Sequence, residues 1–313
     1  WHCFGGCNAG GDIFSFVMKY ENTEFNEALK ILAEKAGIDL KKSGGDFQKY
    51  NRLYEINEAA KNFFRQSLLK NSSPYGYLKN RGLSDQTIEE FEIGLTGEGS
   101  DFLLRHLVKQ GFSIEEIERA GLVFRTERGT YWDRFRNRLM FPLYNSQGKV
   151  IGFTGRILDN ITSSQDVNIA KYVNSSETPI FQKSKFLYGF HRSKNFIREK
   201  NEAVLVEGQM DFLMSWQDGL KNVAATSGTA LTNDHLLLLK RYCDQLVLGF
   251  DNDSAGQSAA ERSIDMAAAN DFSVKILKIS EGKDPAEIAR TQPGLMIQLA
   301  GLSLPAMHFY FNR

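Results

Sequence analysis

The chain has 313 residues, 42% hydrophobic and 24% charged, and its 38 basic and 38 acidic residues cancel to a formal net charge of zero. That is enough chain for two or three domains with real cores, and it excludes a disordered polyelectrolyte, while the zero balance alone argues neither for nor against a nucleic-acid partner. No run of about 18 apolar residues is present to span a bilayer, and no basic-then-apolar leader, so a soluble, cytoplasmic protein is expected. Cys3, Cys7 and Cys243 are too few and too unevenly placed for a disulfide framework, which fits a reducing compartment. The first residue is Trp1 and the first seven read as the middle of a motif, so a fragment of a longer protein is expected.

In chain order, residues 13–36 carry apolar side chains at helical spacing, with Thr23 as an N-cap and Gly37 as a stop, which predicts two short helices. "KKSGGDFQ" (41–48) is polar and glycine-containing and reads as a linker. Residues 49–121 are mostly helical, and "LSDQTIEEF" and "FSIEEIERAG" each open on a serine before Glu-rich helix starts. From 130 to 158 the texture becomes that of an arginine-rich β-hairpin with a turn at Asn145 to Gly148, followed by a polar loop at 159–168. From 202 onward strands and helices alternate, the mark of a parallel α/β sheet. There is no internal repeat and no low-complexity tract.

The charge is unevenly distributed. Arg125 to Lys200 holds 14 Lys and Arg against 6 Asp and Glu, so the middle is basic and the flanks are acidic. A charged hairpin can be a plain solvated face, but an excess of one sign over that length is more than an ordinary surface needs.

The acids cluster where an open α/β sheet places its functional edge, outside the carboxyl ends of the strands. Glu207 ends "AVLVE", with Gly208 turning into a helix that carries Asp211; Asp251 and Asp253 follow "LVLGF"; Asp284 follows the last strand. Two carboxylates about 6 Å apart repel by roughly 3 kcal/mol at an effective dielectric near 20, and a bound cation relieves this. Oxygen donors with no neighbouring His or Cys suit Mg²⁺ or Mn²⁺, the metals of phosphoryl and nucleotidyl transfer. The plainer alternative is that such acids are helix caps, which accounts for one acid more readily than for five. An EF-hand fails at Ala255 and Arg262, where oxygen ligands belong, and no P-loop is present. His191 and Trp132 are read as packing residues and left unassigned, and Met210 and Met214 as core.

"EGQMD" (207–211) with "DNDSAG" (251–256) resembles the TOPRIM fold of primases, topoisomerases and some nucleases. "RFRNRLMFPL" (134–143), "IGFTGR" (151–156), "KYVNSSETPIFQKSKFLYG" (171–189) and "ATSGTALTNDHLLLLKR" (225–241) are similar to bacterial replicative DNA primases, and "WHCFGGCNAGGDIFSFVM" resembles the second half of that family's zinc ribbon. The departures are Gln209 for Tyr, Asn252 for Gly, Ala286 where a second Asp is common, and three residues rather than two between Cys3 and Cys7.

The resemblance implies an α/β and α+β architecture: a TOPRIM-type parallel sheet flanked by helices, preceded by a mixed basic subdomain and a truncated zinc-ribbon remnant. The expected division is 1–40 ribbon remnant, 41–48 linker, 49–200 basic subdomain, 201–283 TOPRIM subdomain and 284–313 the start of a helical region. It implies a DNA-directed RNA polymerase that makes short RNA primers on single-stranded DNA from ribonucleoside triphosphates. Glu207, Asp251 and Asp253 would be catalytic, and together with Asp211 and Asp284 would bind Mg²⁺ or Mn²⁺. Arg136, Asn137, Arg138, Arg156, Lys171, Tyr172, Asn174, Lys183 and Lys185 would contact template or triphosphate. Zinc belongs to the full-length protein; Cys3 and Cys7 alone leave that site incomplete. The replicative helicase would bind a C-terminal region absent here. The rival readings are a TOPRIM nuclease or topoisomerase-like enzyme, or a non-catalytic single-stranded DNA-binding fragment.

Overall fold

A computed structural model describes the chain except residues 6–8, 22, 24, 39, 41–44, 98, 159–169, 250–253, 279–283 and 308–313, and the side chains of 45–48 and 254–260. The expectations placed on Cys7, Asp251, Asp253 and the polar loop at 159–168 therefore lie outside the described residues. The chain divides into two compact units, Trp1–Arg52 and Leu53–Arg313.

In the first unit the chain folds back on itself through an antiparallel bridge between His2 and Gly10, closed by the Cys3 N–H on the Ala9 carbonyl at 2.7 Å. Helices α1 (Ile13–Glu21) and α2 (Phe25–Ala36) pack on each other. Gly37, with φ of +66°, terminates α2 as expected. Thr23, expected to cap α2, is seen closing α1: its N–H donates to the Met18 carbonyl at 3.0 Å.

Helix α3 (Gly45–Leu69) starts inside the stretch read as a linker. Its own apolar stripe explains this, because Leu53, Ile56, Ala60 and Phe64 recur at helical spacing and are all buried. Next come α4 (Ser72–Asn80), α5 (Asp85–Glu90), β1 (Gly94–Leu95), α6 (Phe102–Lys109) and α7 (Ile114–Arg119). The two serines act as read from the sequence: Ser84 caps α5 through the Thr87 N–H, and Ser113 forms a capping box with Glu116 on α7. β2 (Val123–Arg125) and β3 (Tyr131–Asp133) form a two-stranded sheet. β4 (Arg138–Tyr144), β5 (Val150–Ile157) and β6 (Tyr172–Asn174) join β1 in an antiparallel sheet of order β1-β4-β5-β6.

The arginine-rich β4–β5 hairpin is present as read, and it is not a solvated face. β5 is buried along its whole length and β4 up to its last residue, Arg138 and Arg156 included. Phe64, Phe135, Met140 and Phe153 form the core against it.

Helix α8 (Phe190–Lys200) leads into the five-stranded sheet, and the alternating order read from the sequence is present: β7 (Glu202–Val206), α9 (Gln209–Gln217), β8 (Val223–Ala225), α10 (Asn233–Leu239), β9 (Gln245–Gly249), α11 (Ser254–Ala269), β10 (Ser273–Ile276), α12 (Pro285–Thr291), α13 (Leu295–Gly301) and β11 (Leu304–Pro305). The order is β11-β10-β9-β7-β8, parallel except for β11. The strands are near-continuous apolar runs because helices cover the sheet. Connections from β7 and β9 run to opposite sides, so the crevice of an open sheet falls between their carboxyl ends, where Val206 pairs with Gly249. Among the described residues no helix is long and apolar enough to cross a membrane.

Candidate active site

Glu207 leaves β7 at that crevice, half-buried. Gly208 follows because a Cβ there would come 2.9 Å from Asp211 Oδ2, the oxygen that accepts the Gly208 N–H at 3.0 Å and caps α9. The other Asp211 oxygen, Oδ1, accepts the Ala286 N–H at 3.4 Å and ties α9 to the start of α12. Asp284 is the N-cap of α12, its Oδ1 taking the Glu287 N–H at 2.6 Å, with Pro285 at the first helical position. Both aspartates thus serve as helix caps, the plainer alternative weighed from the sequence. A carboxylate carries about four acceptor sites, so a cap does not exhaust it. Ala286, one departure from the family pattern, is buried and its N–H meets Asp211, a backbone contact that does not depend on the side chain at this position.

A cavity of about 450 Å³ opens beside Glu207, lined also by Thr226, Gly228, Leu231, Arg262 and Met266. The loop after β8 closes one side: Thr226 N–H donates to the Val206 carbonyl at 3.1 Å, and Ser227 N–H to the Glu207 carbonyl at 2.9 Å. Ser227 sits at φ +60°, and buried Gln209 donates to its hydroxyl, so the second family departure has a partner in this loop. The donors at this edge are oxygens. The His235 imidazole has both nitrogens engaged, by the Thr232 N–H and the Lys183 carbonyl. Among the described residues no three His, Cys, Asp or Glu converge on one point.

The basic residues build a second concavity, about 490 Å³, lined by Gly99, Ser100, Arg134, Arg136, Asn137 and Arg138. Asn137, at φ +53°, lets its neighbours diverge: Arg136 is exposed and Arg138 is only 6% exposed. Arg138 Nη1 donates to the carbonyls of Gly155 (3.1 Å) and Lys171 (3.2 Å). Gly155 makes room for it, since a Cβ there would lie 2.9 Å from Arg138 Cδ. Arg156 is held between the rings of Tyr77 (5.3 Å) and Tyr172 (5.9 Å). Burial lowers the Arg134 and Arg138 pKa values, from a starting point so high that both stay charged. Burial raises that of Tyr172, which stays protonated. Arg138 is therefore part of the cleft wall rather than a loose contact, and Arg156 is built into the sheet beneath the Tyr77 and Tyr172 rings. Lys171 is exposed, and Lys183 and Lys185, on a 3₁₀ turn, are half-exposed.

Asn174 connects the two concavities. Its carbonyl accepts from Arg134 Nε (3.2 Å) and Nη2 (3.0 Å), its Oδ1 accepts from Thr154, and its Nδ2 donates to the Ser227 carbonyl at 3.3 Å. Ser227 is in turn bonded to the Glu207 backbone. Arg134 and Tyr77 were not singled out from the sequence. Arg134 stands in the quoted "RFRNRLMFPL" motif, whereas nothing around Tyr77 signals its ring contact with Arg156. Met210 and Met214 are core, 5% and 2% exposed. His191 is packed on Tyr144 with ring centroids 4.5 Å apart, and burial pushes it down to about 3, so it is neutral.

Residues 63–194 match the family model for the DNA primase catalytic core, N-terminal domain; 204–289 match a Toprim-like model, and 1–48 the CHC2 zinc finger. The crystal structure of the zinc-binding and RNA polymerase domains of Aquifex aeolicus primase superposes with a TM-score of 0.75 at 31% identity, over 95% of this chain and 72% of that one. The chain belongs to the DNA primase family. A DnaG primase catalytic domain solved bound to single-stranded DNA superposes with a TM-score of 0.74 at 31% identity, over 85% of this chain and 83% of that one. The DNA primase of Clostridium acetobutylicum is 39% identical over 296 residues, 93% of this chain and 48% of the relative. The chain spans about half the length of the curated relatives it matches. Against these primases the TOPRIM-type sheet and the preceding mixed subdomain stand as the sequence implied.

Proposed function

We propose that this chain carries the polymerising core of a primase, joining ribonucleotides into short primers on a single-stranded DNA template. The observation that carries the reading is the Arg134–Asn174–Ser227–Glu207 path of hydrogen bonds, which fixes an anion-binding cleft and a carboxylate sheet edge in one frame. Nucleotidyl transfer needs both, one for the phosphate backbone and one for the triphosphate.

The donor set suits a hard divalent cation, Mg²⁺ or Mn²⁺. Glu207 and Asp211, with Asp251, Asp253 and Asp284, are the oxygen donors for it; once bound it would make the primer 3′ hydroxyl a better nucleophile and offset charge on the departing pyrophosphate. The chain's own residues orient. Asp211 fixes α9 and α12 against each other, Gln209 holds the Ser227 loop over Glu207, and Arg134, Arg136 and Arg138 present permanent positive charge to template or triphosphate. Tyr172 pins Arg156 from one side. Primer, template and ribonucleoside triphosphates are thus the partners expected, with the helicase contacting a region outside this chain. The domain division expected from the sequence stands as part of this proposal, with the linker shortened to residues before α3.

Cys3 is half-exposed, and with Cys7 supplies two thiolates where a structural zinc site needs four ligands. Metal analysis after dialysis should find substoichiometric zinc. One zinc per chain would mean that further ligands exist.

Ribonucleotide incorporation on a single-stranded template, with Mg²⁺ or Mn²⁺, tests the main reading. Incorporation by the wild type and none by Asp251→Asn, with unchanged melting, is the expected result. Template cleavage without incorporation would mark a TOPRIM nuclease, and template binding with neither activity a binding fragment.

A further inference from the structure

The two-stranded sheet β2–β3 adjoins the arginine cleft, since the Asp133 N–H donates at 2.6 Å to the carbonyl of Ser100, a cleft residue. Its inner face is fixed. Val123 is buried, and Asp133 accepts the Leu103 and Leu104 N–H groups at 2.8 and 3.0 Å at the start of α6. Strand alternation then turns Phe124 and Trp132, which pair directly across the two strands, out to solvent. They are 37% and 40% exposed, edge to face, with ring centroids 6.5 Å apart. The Arg136 guanidinium carbon lies 4.8 Å from the centroid of the Trp132 ring, and Arg136 itself lines the cleft. Arg125 and Arg128 are exposed on the same hairpin, where Glu127 is the one exposed carboxylate.

A cross-strand aromatic pair stabilises a hairpin. That role does not account for an indole kept at the surface with a cleft arginine laid over it. An apolar protein surface would have to bury three guanidinium groups without anions, whereas a single strand supplies both phosphates for the arginines and π-faces for the rings. We propose that Trp132 is a base-stacking station for single-stranded nucleic acid running into the arginine cleft, with Arg136 joining the station to the cleft. This rests on the cleft being the template path. Stacking is tolerant of sequence because every base has a face, so the station holds a template without selecting a site.

The test measures binding of the full chain to a labelled oligodeoxynucleotide at several salt concentrations, for the wild type, Trp132→Ala, Trp132→Phe and Arg136→Ala. Trp132→Ala should weaken binding by about fivefold to a hundredfold without changing the salt slope, because stacking releases no counterions. Trp132→Phe should keep most of the affinity. Abasic positions in the oligonucleotide should erase the difference between wild type and Trp132→Ala. Arg136→Ala should flatten the slope by about 0.7. An equal loss for Trp132→Ala on intact and abasic strands would reduce Trp132 to a support of the hairpin and overturn the proposal. So would wild-type affinity in Trp132→Ala; if Arg136→Ala still flattens the slope, the cleft reading survives alone. If the wild type does not bind the strand, cleft and station fall together.

Discussion

Glu207, at the end of β7, and Asp211 and Asp284, at the starts of α9 and α12, are half-exposed, the two aspartates held by neutral backbone N–H groups, whereas Arg138 and Arg156 are 6% and 2% exposed and held by carbonyls or tyrosine rings. The difference follows from the chemistry of the two ions. A guanidinium cannot be neutralised at ordinary pH, so it can be built into a wall and still present charge. A carboxylate buried as deeply has its pKa pushed up towards neutrality, and one that is to take a cation must keep acceptor capacity for it. The arginine side is a rigid positive frame, and the acidic side a set of half-exposed carboxylates, two of them helix caps.

The sharpest way to separate the sides is Glu207→Gln. The amide keeps size and removes charge, so the donor proposed for the cation is lost while the β7–loop backbone bonds remain. If that costs several kcal/mol of transition-state stabilisation, ribonucleotide incorporation should fall at least about 1,000-fold. Melting temperature and salt-dependent DNA binding should both hold. Loss of DNA binding as well would show that the two sides do not act separately.

Asp133 is the exception on the arginine side, a carboxylate buried to 4%. Burial raises its pKa to about 6 from an unperturbed 3.8, against the lowering effect of the Leu103 and Leu104 N–H groups. With the folded value above the unfolded one, the folded state binds more protons between about pH 4 and 6. Stability from this group therefore falls as pH rises through that window, by about 3 kcal/mol in all. Glu92 runs the other way: burial pushes its carboxyl up, but hydrogen bonds from Lys61 and Tyr144 outweigh this and leave it lowered. The measurement is thus a difference, urea unfolding of wild type minus Asp133→Asn from pH 4 to 7. The asparagine variant should gain on the wild type as pH rises, and a flat difference would refute the assignment.

Arg138→Met leaves the Gly155 and Lys171 carbonyls without that donor and should cost about 2 kcal/mol in urea unfolding. Arg136→Ala, on the exposed side of Asn137, should change stability by less than about 0.5 kcal/mol. Equal losses would erase the distinction between wall and surface.

Much of this was legible in the chain. Ser84 and Ser113 announced helix starts because a hydroxyl three residues ahead of a helical N–H leaves a local signature, and the alternating β and α texture fixed a parallel sheet whose carboxyl edge had to carry Glu207. Burial of the arginines was not legible. Charge counts say that a segment is basic but not which side a guanidinium faces, and Arg138 turns inward only because Gly155, seventeen residues away, leaves the space. Tyr77 reaches Arg156 from a distant helix, a contact no local pattern encodes. Large aromatics usually pack, so the sequence offers no sign that Trp132 faces outward; it does so because its neighbour Asp133 accepts N–H groups at the start of α6 and takes the inner face.

The smallest effect concerns the lysines, which belong to neither wall nor edge. Lys171 gives its carbonyl to Arg138 and exposes its side chain. Lys183 has its N–H on Glu177 Oε1 at 3.0 Å and its carbonyl on His235 at 3.3 Å, so its backbone is fixed and Lys183→Ala should not disturb the turn. Each lysine that touches the template releases counterions, and on a single strand its loss flattens log affinity against log salt by about 0.7. The double variant Lys171→Ala, Lys183→Ala should lose about 1.4 in slope, equally for strands of different sequence, because phosphate contacts carry charge and no base information. A preserved slope with weakened ribonucleotide binding would move both lysines to the triphosphate side of Asn174. No change in either would leave them as a solvated rim, with the permanent charge of the cleft supplied by its arginines alone.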